Sequence, residues 1–306
     1  MTEASPTAAA PGRQRTALLP TIALVGVTAI WGSTFVVVSR AIEQMPAVTF
    51  LAWRFGLATL VLILLRPRSL RLLDRRDLVR GLWMGMALGL GYILQTVGLY
   101  TTPVTVSGFI TGMFLVFTPI VAWVLLREPI PSSAWWAVGI ATVGLAVMSL
   151  NGFSMGLGEL LTLGGALAFA VQIVGLSAFS TPAKAYPLAI VQLGVTALMC
   201  TIGSTLESGP KVPPTRDVWV SLLFLALAAT ALSFVVQSWG QAHLPPTTAA
   251  VVLTLEPVFA GIFGFLVGED ITARMVIGGA LVLVAMYVVE LGPRRAREAQ
   301  LAHLEP

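Results

Sequence analysis

The sequence predicts an all-α integral membrane protein with ten transmembrane helices arranged as two inverted five-helix repeats. Three observations support this fold class. Of the 306 residues, 57% are hydrophobic and only 10% are charged, whereas soluble domains have about 25% charged residues. The chain contains ten apolar segments of membrane-spanning length, and its two halves match one another at a nearly constant offset. The composition therefore argues strongly against a soluble protein.

The ten apolar segments set the order of the predicted helices. A transmembrane helix needs about 20 apolar residues to cross the hydrocarbon core. The predicted spans, numbered one to ten, are residues 17–39, 46–65, 79–100, 104–126, 133–150, 157–179, 187–206, 218–240, 246–267 and 272–291. Residues 1–16 and 292–306 are predicted to be tails. The first apolar segment is long enough to span, so we predict a span there rather than a removed signal peptide.

The basic residues predict the orientation. Residues 66–80, between spans two and three, contain six arginines, and the even-numbered connections together with both tails hold 13 of the 18 lysines and arginines. Positive residues concentrate on the cytoplasmic side of membrane proteins. We therefore predict a multi-pass protein of the cell (inner or plasma) membrane with both termini in the cytoplasm. This bias explains the net charge of +4 without nucleic-acid binding.

An internal duplication predicts the inverted repeats. Residues 45–46 match residues 186–187 at an offset of 141, residues 92–98 match 234–240 at 142, and residues 107–128 match 248–269 at 141. The predicted repeats are residues 17–150 and 156–291. Because each has five spans, an odd number, the second must lie upside down relative to the first, an arrangement typical of secondary transporters.

The chain contains few of the residues from which metal sites and enzyme active sites are built. There is one cysteine, Cys200, and there are two histidines, His243 and His303. No intramolecular disulfide can form, and a metal site of cysteines and histidines is not indicated. The sequence also lacks the glycine-rich loop with Lys and Ser or Thr that binds ATP. We therefore expect no metal, no cofactor and no enzymatic activity.

Two charged residues lie near the middle of predicted spans, Arg54 in span two and Glu256 in span nine. An unpaired charge at the bilayer centre costs at least about 2.5 kcal/mol, so both must face protein or water. Arg54 could anchor a carboxylate, and Glu256 could exchange a proton or bind a cationic substrate. Each could instead bond to neighbouring backbone and stabilise the bundle, and the two could pair with each other.

Polar and aromatic residues inside other spans are further candidates. Buried amides need hydrogen-bonding partners, and they can either recognise a substrate or hold helices together. The four glutamines inside spans are Gln95, Gln172, Gln192 and Gln237. Trp31 lies deep in span one, where it could form an aromatic wall of a cavity. The glycines at positions 81, 85 and 89 predict close helix packing or a sliding surface.

Prolines inside spans four and nine, Pro119 and Pro257, are predicted to kink those helices. A proline removes one backbone donor and frees a carbonyl group. Glu256 directly precedes Pro257, so an acid and a kink would coincide near mid-membrane. Interrupted helices of this kind form the binding sites of many transporters. We predict that both prolines mark kinks with a role in gating.

The sequence resembles the drug/metabolite transporter superfamily, in its EamA-type branch, from about residue 20 to about residue 290. The resemblance rests on residues 31–35 (WGSTF), Pro46 with Arg54, residues 108–112 (GFITG) followed by Pro119, residues 256–260 (EPVFA), and Gly268 with Glu269. One departure is the distance from Pro119 to Glu128, which is shorter than that from Pro257 to Glu269.

This resemblance implies a ten-helix secondary transporter with a central cavity. Its substrates would be small metabolites such as amino acids or nucleosides, commonly moved outward. The expected partners are a small-molecule substrate and the lipid bilayer, with proton coupling and a homodimer through spans five and ten as further expectations. The alternative is a non-transporting membrane scaffold or lipid-handling protein, which would have no pathway to explain the mid-membrane polar residues.

Overall fold

The structure is a computed structural model that describes residues 12–127, 132–149, 155–207, 209, 211–233, 236–237 and 252–302. Within these residues the regular structure is helical, without strands. The helices, numbered in chain order, are α1 Gly12–Ile42, α2 Ala47–Leu65, α3 Arg75–Gly98, α4 Val104–Gly112, α5 Phe114–Leu126, α6 Ser132–Ser149, α7 Leu157–Phe179, α8 Pro182–Glu207, α9 Arg216–Leu223, α10 Glu256–Leu266 and α11 Ala273–Ala302. A 3₁₀ turn covers Ser69–Leu72, and a π-helical segment, Phe224–Leu232, continues α9.

Most predicted spans correspond to one helix. Span four is the pair α4 and α5, span eight begins with α9, and span nine ends with α10. Five stretches are long and apolar enough to cross a membrane, namely Leu18–Ile42, Ala47–Leu65, Val104–Leu126, Leu157–Phe179 and Ala183–Leu206. Shorter apolar helices cover Ser132–Met148, Glu256–Leu266 and Ala273–Val288. The all-helical, two-repeat fold is consistent with this pattern, and the number of ten spans stays a prediction.

Several helices extend beyond the predicted spans, and α1, α8 and α11 do so by five residues or more. α8 begins at Pro182 rather than at residue 187, because proline is well tolerated at the first position of a helix. α11 continues to Ala302 through residues that were predicted as a tail, since arginine, alanine, glutamate and leucine are strong helix formers. Residues 234–235 and 238–251 of predicted spans eight and nine lie outside the described residues, as do 1–11 and 303–306.

Contacts at the two ends of α2 show the relation between the repeats. Asp74 caps the start of α3 by accepting a hydrogen bond from the Asp77 backbone N–H at 2.8 Å, and Thr215 caps α9 in the same way. These two residues are 141 positions apart. A carboxylate oxygen of Asp74 lies 3.9 Å from the ammonium nitrogen of Lys184, near the start of α8. The Thr215 hydroxyl donates a hydrogen bond of 2.7 Å to the side-chain oxygen of Gln44, just before α2. Equivalent caps thus join the repeats at opposite ends of the bundle.

The glycine ridge on α3 packs against α8. A Cβ atom added to Gly81 would lie 2.8 Å from Val191, and one added to Gly85 would lie 2.7 Å from Val195. Gly89 faces Met199 in the same manner, at 3.0 Å. Distances this short leave no room for a side chain, so glycine permits the two backbones to approach closely. The ridge therefore serves as a packing surface between the two repeats.

The ion pair between Asp77 and Lys184 predicts how stability depends on pH. Their charged atoms lie 2.6 Å apart, and the hydrogen bond from Lys184 lowers the pKa of Asp77 below its ordinary value. A depressed carboxyl pKa gives a stabilisation that is present above the ordinary value of about 3.9 and is lost as the pH falls through the lowered pKa. We expect the thermal unfolding temperature in detergent to fall below about pH 4.

The variant Asp77→Asn measures how much this ion pair contributes to stability. We expect it to unfold at a lower temperature than the wild type at neutral pH and to show a smaller drop in acid. Asp217→Asn, a matched change of an exposed aspartate in the first turn of α9, is the control and should leave the acid-dependent drop intact. An identical pH profile for Asp77→Asn and the wild type would contradict the assignment.

Candidate functional site

Helix breaks in spans four and nine lie at equivalent positions of the two repeats. α4 ends at Gly112 and α5 begins at Phe114, with a turn at Met113; α10 begins at Glu256 directly after a turn at residues 254–255. Met113 and residue 254 are 141 positions apart. Pro257 stands in the first turn of α10, where proline is tolerated. The break in span four is not at Pro119, which lies inside α5, so the predicted kink at that proline stays a prediction.

Small residues hold the start of α10 between α1 and α4. A Cβ atom on Gly108 of α4 would lie 2.5 Å from the Cβ of Ala260, and one on Gly112 would lie 3.1 Å from Pro257. From α1, a Cβ atom on Gly32 would lie 2.5 Å from Phe259. The Gly32 contact brings the backbones of α1 and α10 close together, and the three contacts together place the start of α10 against α1 and α4. Glu256, in this turn, is half-buried.

Arg54 is buried near the middle of α2, with 4% of its surface exposed. The central carbon of its guanidinium group lies 5.0 Å from the ring centre of Tyr92 on α3 and 5.2 Å from that of Phe55. Aromatic faces attract a cation at these distances. The Nε–H group of Arg54 has no hydrogen-bonding partner. A buried arginine with an unused donor is poised to bind an anionic group, since leaving such a donor unpaired is costly.

Tyr92 interacts with Glu256 as well as with Arg54. Glu256 lies within electrostatic range of the Tyr92 hydroxyl, and the Tyr92 ring also packs edge-on against Phe169 of α7, with ring centres 5.0 Å apart. Among the described residues, ion pairs form only between Lys184 or Arg80 and the aspartates at the start of α3. Arg54 and Glu256 are therefore not paired directly in this conformation. We define the Arg54, Tyr92 and Glu256 side chains as the central cluster.

The glutamines separate into two groups. Gln95, one turn after Tyr92 on α3, donates to the hydroxyl of Thr111 at 2.9 Å, beside the break in span four. Gln172 of α7 donates to Gln192 of α8 at 2.6 Å, and Gln192 donates to the Leu188 carbonyl at 3.3 Å. Gln237 is half-buried. Gln95 thus borders the central cluster, whereas the Gln172 and Gln192 amides satisfy one another and hold α7 to α8.

Trp31 joins α1 to the π-helical segment that follows α9. Its indole N–H donates to the backbone carbonyl of Ala229 at 2.9 Å. Within the same segment, the hydroxyls of Thr230 and Ser233 donate to carbonyls five residues earlier, at 2.9 and 2.8 Å. π-Helical turns occur often at functional sites. The ring of Trp31 is half-buried, and its polar edge is used to tie the first repeat to the second.

The EamA-like transporter family matches residues 18–150 and 156–291. The chain belongs to the EamA-like transporter family. Membership of this family indicates a membrane transporter, which agrees with the long apolar helices and the resemblance noted in the sequence.

Two similar proteins that are named as transporters agree with this family. An "Uncharacterized transporter" of Archaeoglobus fulgidus is 33% identical over 272 residues, covering 88% of this chain and 85% of that protein. The "Uncharacterized transporter YoaV" of Bacillus subtilis is 24% identical over 279 residues, covering 87% and 95%. A crystal structure superimposes with a TM-score of 0.62 at 16% identity, covering 92% of this chain and 99% of that chain, which shows a shared fold.

Sequence reasoning missed Tyr92 as a member of the cluster. It stands at the aromatic position of the repeated pattern in residues 92–98 and 234–240, but an aromatic residue in an apolar span is too common to be singled out. Thr111 was missed for the same reason, because a hydroxyl in a span usually bonds to its own helix. The repeated pattern in residues 92–98 was the available signal for Tyr92.

Glu269 ties the end of span nine to the start of α4. Its carboxylate accepts hydrogen bonds from the backbone N–H of Val104, from the backbone N–H of Thr105 at 3.0 Å and from the Thr105 hydroxyl at 2.7 Å. Gly268, with φ of +95°, makes the turn that brings Glu269 to this position, a backbone conformation that favours glycine. Pro103, before α4, supplies no side-chain cap, so a residue of the other repeat caps this helix.

We expect Glu269→Ala to destabilise the protein by about 1 to 2 kcal/mol, because helix caps contribute this much and a carboxylate also complements the positive end of the helix. Chemical or thermal unfolding in detergent would measure the change. Asp270→Ala alters the adjacent exposed carboxylate and should shift stability far less. Equal effects of the two substitutions would rule out the cap as the cause.

Proposed function

We propose that this chain is a secondary transporter that exports small metabolites across the cell membrane by alternating access, with amino acids as the favoured substrate class and nucleosides as the other class to test. The proposal takes the chain to have ten spans, both termini in the cytoplasm and inverted repeats at residues 17–150 and 156–291. The two repeats would rock about a central site and expose it to one face at a time. Outward direction follows from the family resemblance.

The observation that carries the proposal is the central cluster. Arg54 presents an unpartnered donor, Glu256 stands at the first turn of an interrupted helix, and the two are not joined in an ion pair. A zwitterion has a carboxylate for the arginine and an ammonium group for the glutamate. In this proposal Glu256 binds either the ammonium group or a proton, which would couple export to proton entry.

Other predicted residues have supporting roles in the proposal. Gln95 would contact the polar body of the substrate, and Trp31 would border the cavity while tying α1 to the π-helical segment. Gln237, at the position equivalent to Gln95, would approach the site from the second repeat. Gln172 and Gln192 would hold α7 and α8 together, the break beside Pro257 would be one point of movement, and Pro119 would be a second, within α5.

Counterflow in reconstituted vesicles tests the function. Vesicles loaded with unlabelled amino acids or nucleosides are mixed with a trace of labelled solute, and protein-free vesicles provide the background. We expect transient accumulation of at least one labelled amino acid, recovered chemically unchanged, and a dependence of net flux on a pH gradient. Absence of exchange with every pool would count against the proposed substrate classes, and a chemically altered product would indicate an enzyme.

A homodimer through spans five and ten is a further part of the proposal. α6 and α11 pack tightly on one another, since a Cβ atom on Gly144 would lie 2.8 Å from the Gly278 carbonyl oxygen. Exposed apolar residues such as Trp136 and Ile277 remain on the outer face of this pair. Cross-linking between cysteines placed at these two positions would detect the dimer.

A further inference from the structure

A groove of about 410 Å³ lies between α2 and α8, at the end of the bundle where α2 begins. It is lined by one face of α2, by the end of α8 and by the connection that follows α8, with Thr49, Trp53, Gly56, Leu60, Ser204 and Lys211 among its residues. Leu60, which lines the groove, is 52% exposed. In a membrane transporter such a surface faces lipid, so the groove opens sideways into the bilayer.

The length of the groove matches one leaflet. From Thr49 to Leu60 the helix rises about 16 Å, and half of the hydrocarbon core is about 15 Å thick. Leu60 therefore lies near mid-membrane, and Thr49 lies near the level at which hydrocarbon meets the polar headgroups. Most of the lining between these residues is apolar. An acyl chain is the ligand whose length and chemistry fit this shape.

The end of the groove near the start of α2 contains a hydroxyl group without a hydrogen-bonding partner. Thr49 is 1% exposed, and its hydroxyl has no partner although the residue lines the groove. Buried hydroxyls nearly always have a partner. A phospholipid carries ester carbonyl oxygens at this depth, and such an oxygen would accept the proton of the Thr49 hydroxyl.

A lysine lines the groove, and its backbone is hydrogen-bonded to α2. The Trp53 indole N–H donates to the backbone carbonyl of Lys211 at 3.0 Å, and the Trp53 ring packs edge-on against Trp219 with ring centres 5.3 Å apart. These contacts fix the connection that carries Lys211 over the groove. Lys211 is exposed and takes part in none of the ion pairs that the described residues form. Its ammonium group is therefore available to a phosphate.

The groove is separate from the central cluster. Gly56 and Arg54 are two residues apart on α2, so they point in directions about 160° apart around the helix axis. Arg54 faces the interior, whereas Gly56 faces the groove. A ligand in the groove therefore contacts a different side of α2 from a substrate in the central cluster.

Three observations support one interpretation: the depth of the groove in the membrane, the unpartnered hydroxyl of Thr49 and the position of Lys211. We infer that this groove is a binding site for one anionic phospholipid. The acyl chain lies along α2 over Gly56, an ester carbonyl oxygen accepts from Thr49, and the phosphate contacts Lys211. With the orientation proposed above, the lipid comes from the outer leaflet. This site does not depend on the transported solute.

Native mass spectrometry of the full chain, released from detergent with added phosphatidylglycerol or phosphatidylcholine of identical acyl chains, tests the inference. We expect one phosphatidylglycerol to be retained in preference to phosphatidylcholine. Gly56→Leu should abolish this binding, because a Cβ atom there meets no protein atom within 4 Å and the side chain would fill the groove. Gly26→Leu, at a site with the same free space, is the control and should bind like the wild type.

Two conservative variants separate the parts of the site. Lys211→Gln should weaken phosphatidylglycerol binding about fivefold and remove the preference over phosphatidylcholine, and Thr49→Val should weaken both lipids about fivefold. Wild-type binding in Gly56→Leu, or equal lipid binding by all variants, would overturn the inference. So would a shift from dimer to monomer in Gly56→Leu without any change in lipid binding, which would identify the groove as an interface between copies of the chain.

Discussion

Replacing Glu256 by glutamine is expected to abolish both counterflow and proton-driven export while the protein still folds. Glutamine keeps the size of the side chain and removes its charge and its ability to release a proton. A hydrogen bond between charged groups contributes about 1.5 to 3 kcal/mol, so substrate binding should weaken about 10- to 100-fold. Initial rates of exchange in vesicles, at several substrate concentrations, measure this loss.

The control for this variant is Glu159→Gln, the same change in the first turn of α7, away from the central cluster. It should exchange at the wild-type rate. If Glu256→Gln retains counterflow and loses only the pH-dependent flux, then Glu256 carries the proton and does not bind the substrate. Normal values for both activities would remove Glu256 from the site.

Replacing Arg54 by methionine is expected to stop transport without destabilising the protein. The guanidinium group is buried against two aromatic rings with an unused donor, so it has no carboxylate partner to compensate for its loss of water. Replacing buried charges by apolar side chains of similar volume is often neutral or stabilising by about 1 to 4 kcal/mol. Substrate affinity should fall by about 30-fold or more, because the anchor for the carboxylate is lost.

Thermal unfolding and counterflow measured on the same preparation of Arg54→Met separate function from architecture. Arg66→Met removes an arginine whose guanidinium lies 5.2 Å from the Tyr186 ring at the end of α2, and it should retain transport. A variant Arg54→Met that lost several kcal/mol of stability along with transport would show that Arg54 holds the bundle together. Normal transport by Arg54→Met would exclude it as the anchor.

The sequence was sufficient to identify the charged members of the central cluster. Arg54 and Glu256 stand out because charges are expensive in an apolar helix, and that cost is visible one residue at a time. Tyr92 acts through its position between helices that are distant in sequence, which no local pattern reveals. The same reason explains why a direct pairing of Arg54 with Glu256 remained open until the helices were placed.

The break in span four was not predicted from the sequence. The sequence predicted kinks at Pro119 and Pro257, whereas span four is interrupted at Met113, and α5 continues through Pro119. The breaks instead follow the register of the duplication, at the place where Gly108 and Gly112 let α4 cross α10 closely. The first helix of span four thus ends directly beside a close contact between α4 and α10, which a local sequence pattern does not reveal.

The two contacts that join the repeats at opposite ends of the bundle differ in chemistry. One end uses an ion pair, Lys184 with Asp77, and the other uses the hydroxyl of Thr215 and the amide of Gln44. Threonine and glutamine do not titrate in water, and salt weakens a neutral hydrogen bond far less than an exposed ion pair. In the proposed orientation, the Thr215–Gln44 contact faces the outside of the cell, where it tolerates low pH and high salt. The ion pair of Lys184 with Asp77, which is sensitive to both, lies on the cytoplasmic side, where the cell regulates pH and ion concentrations.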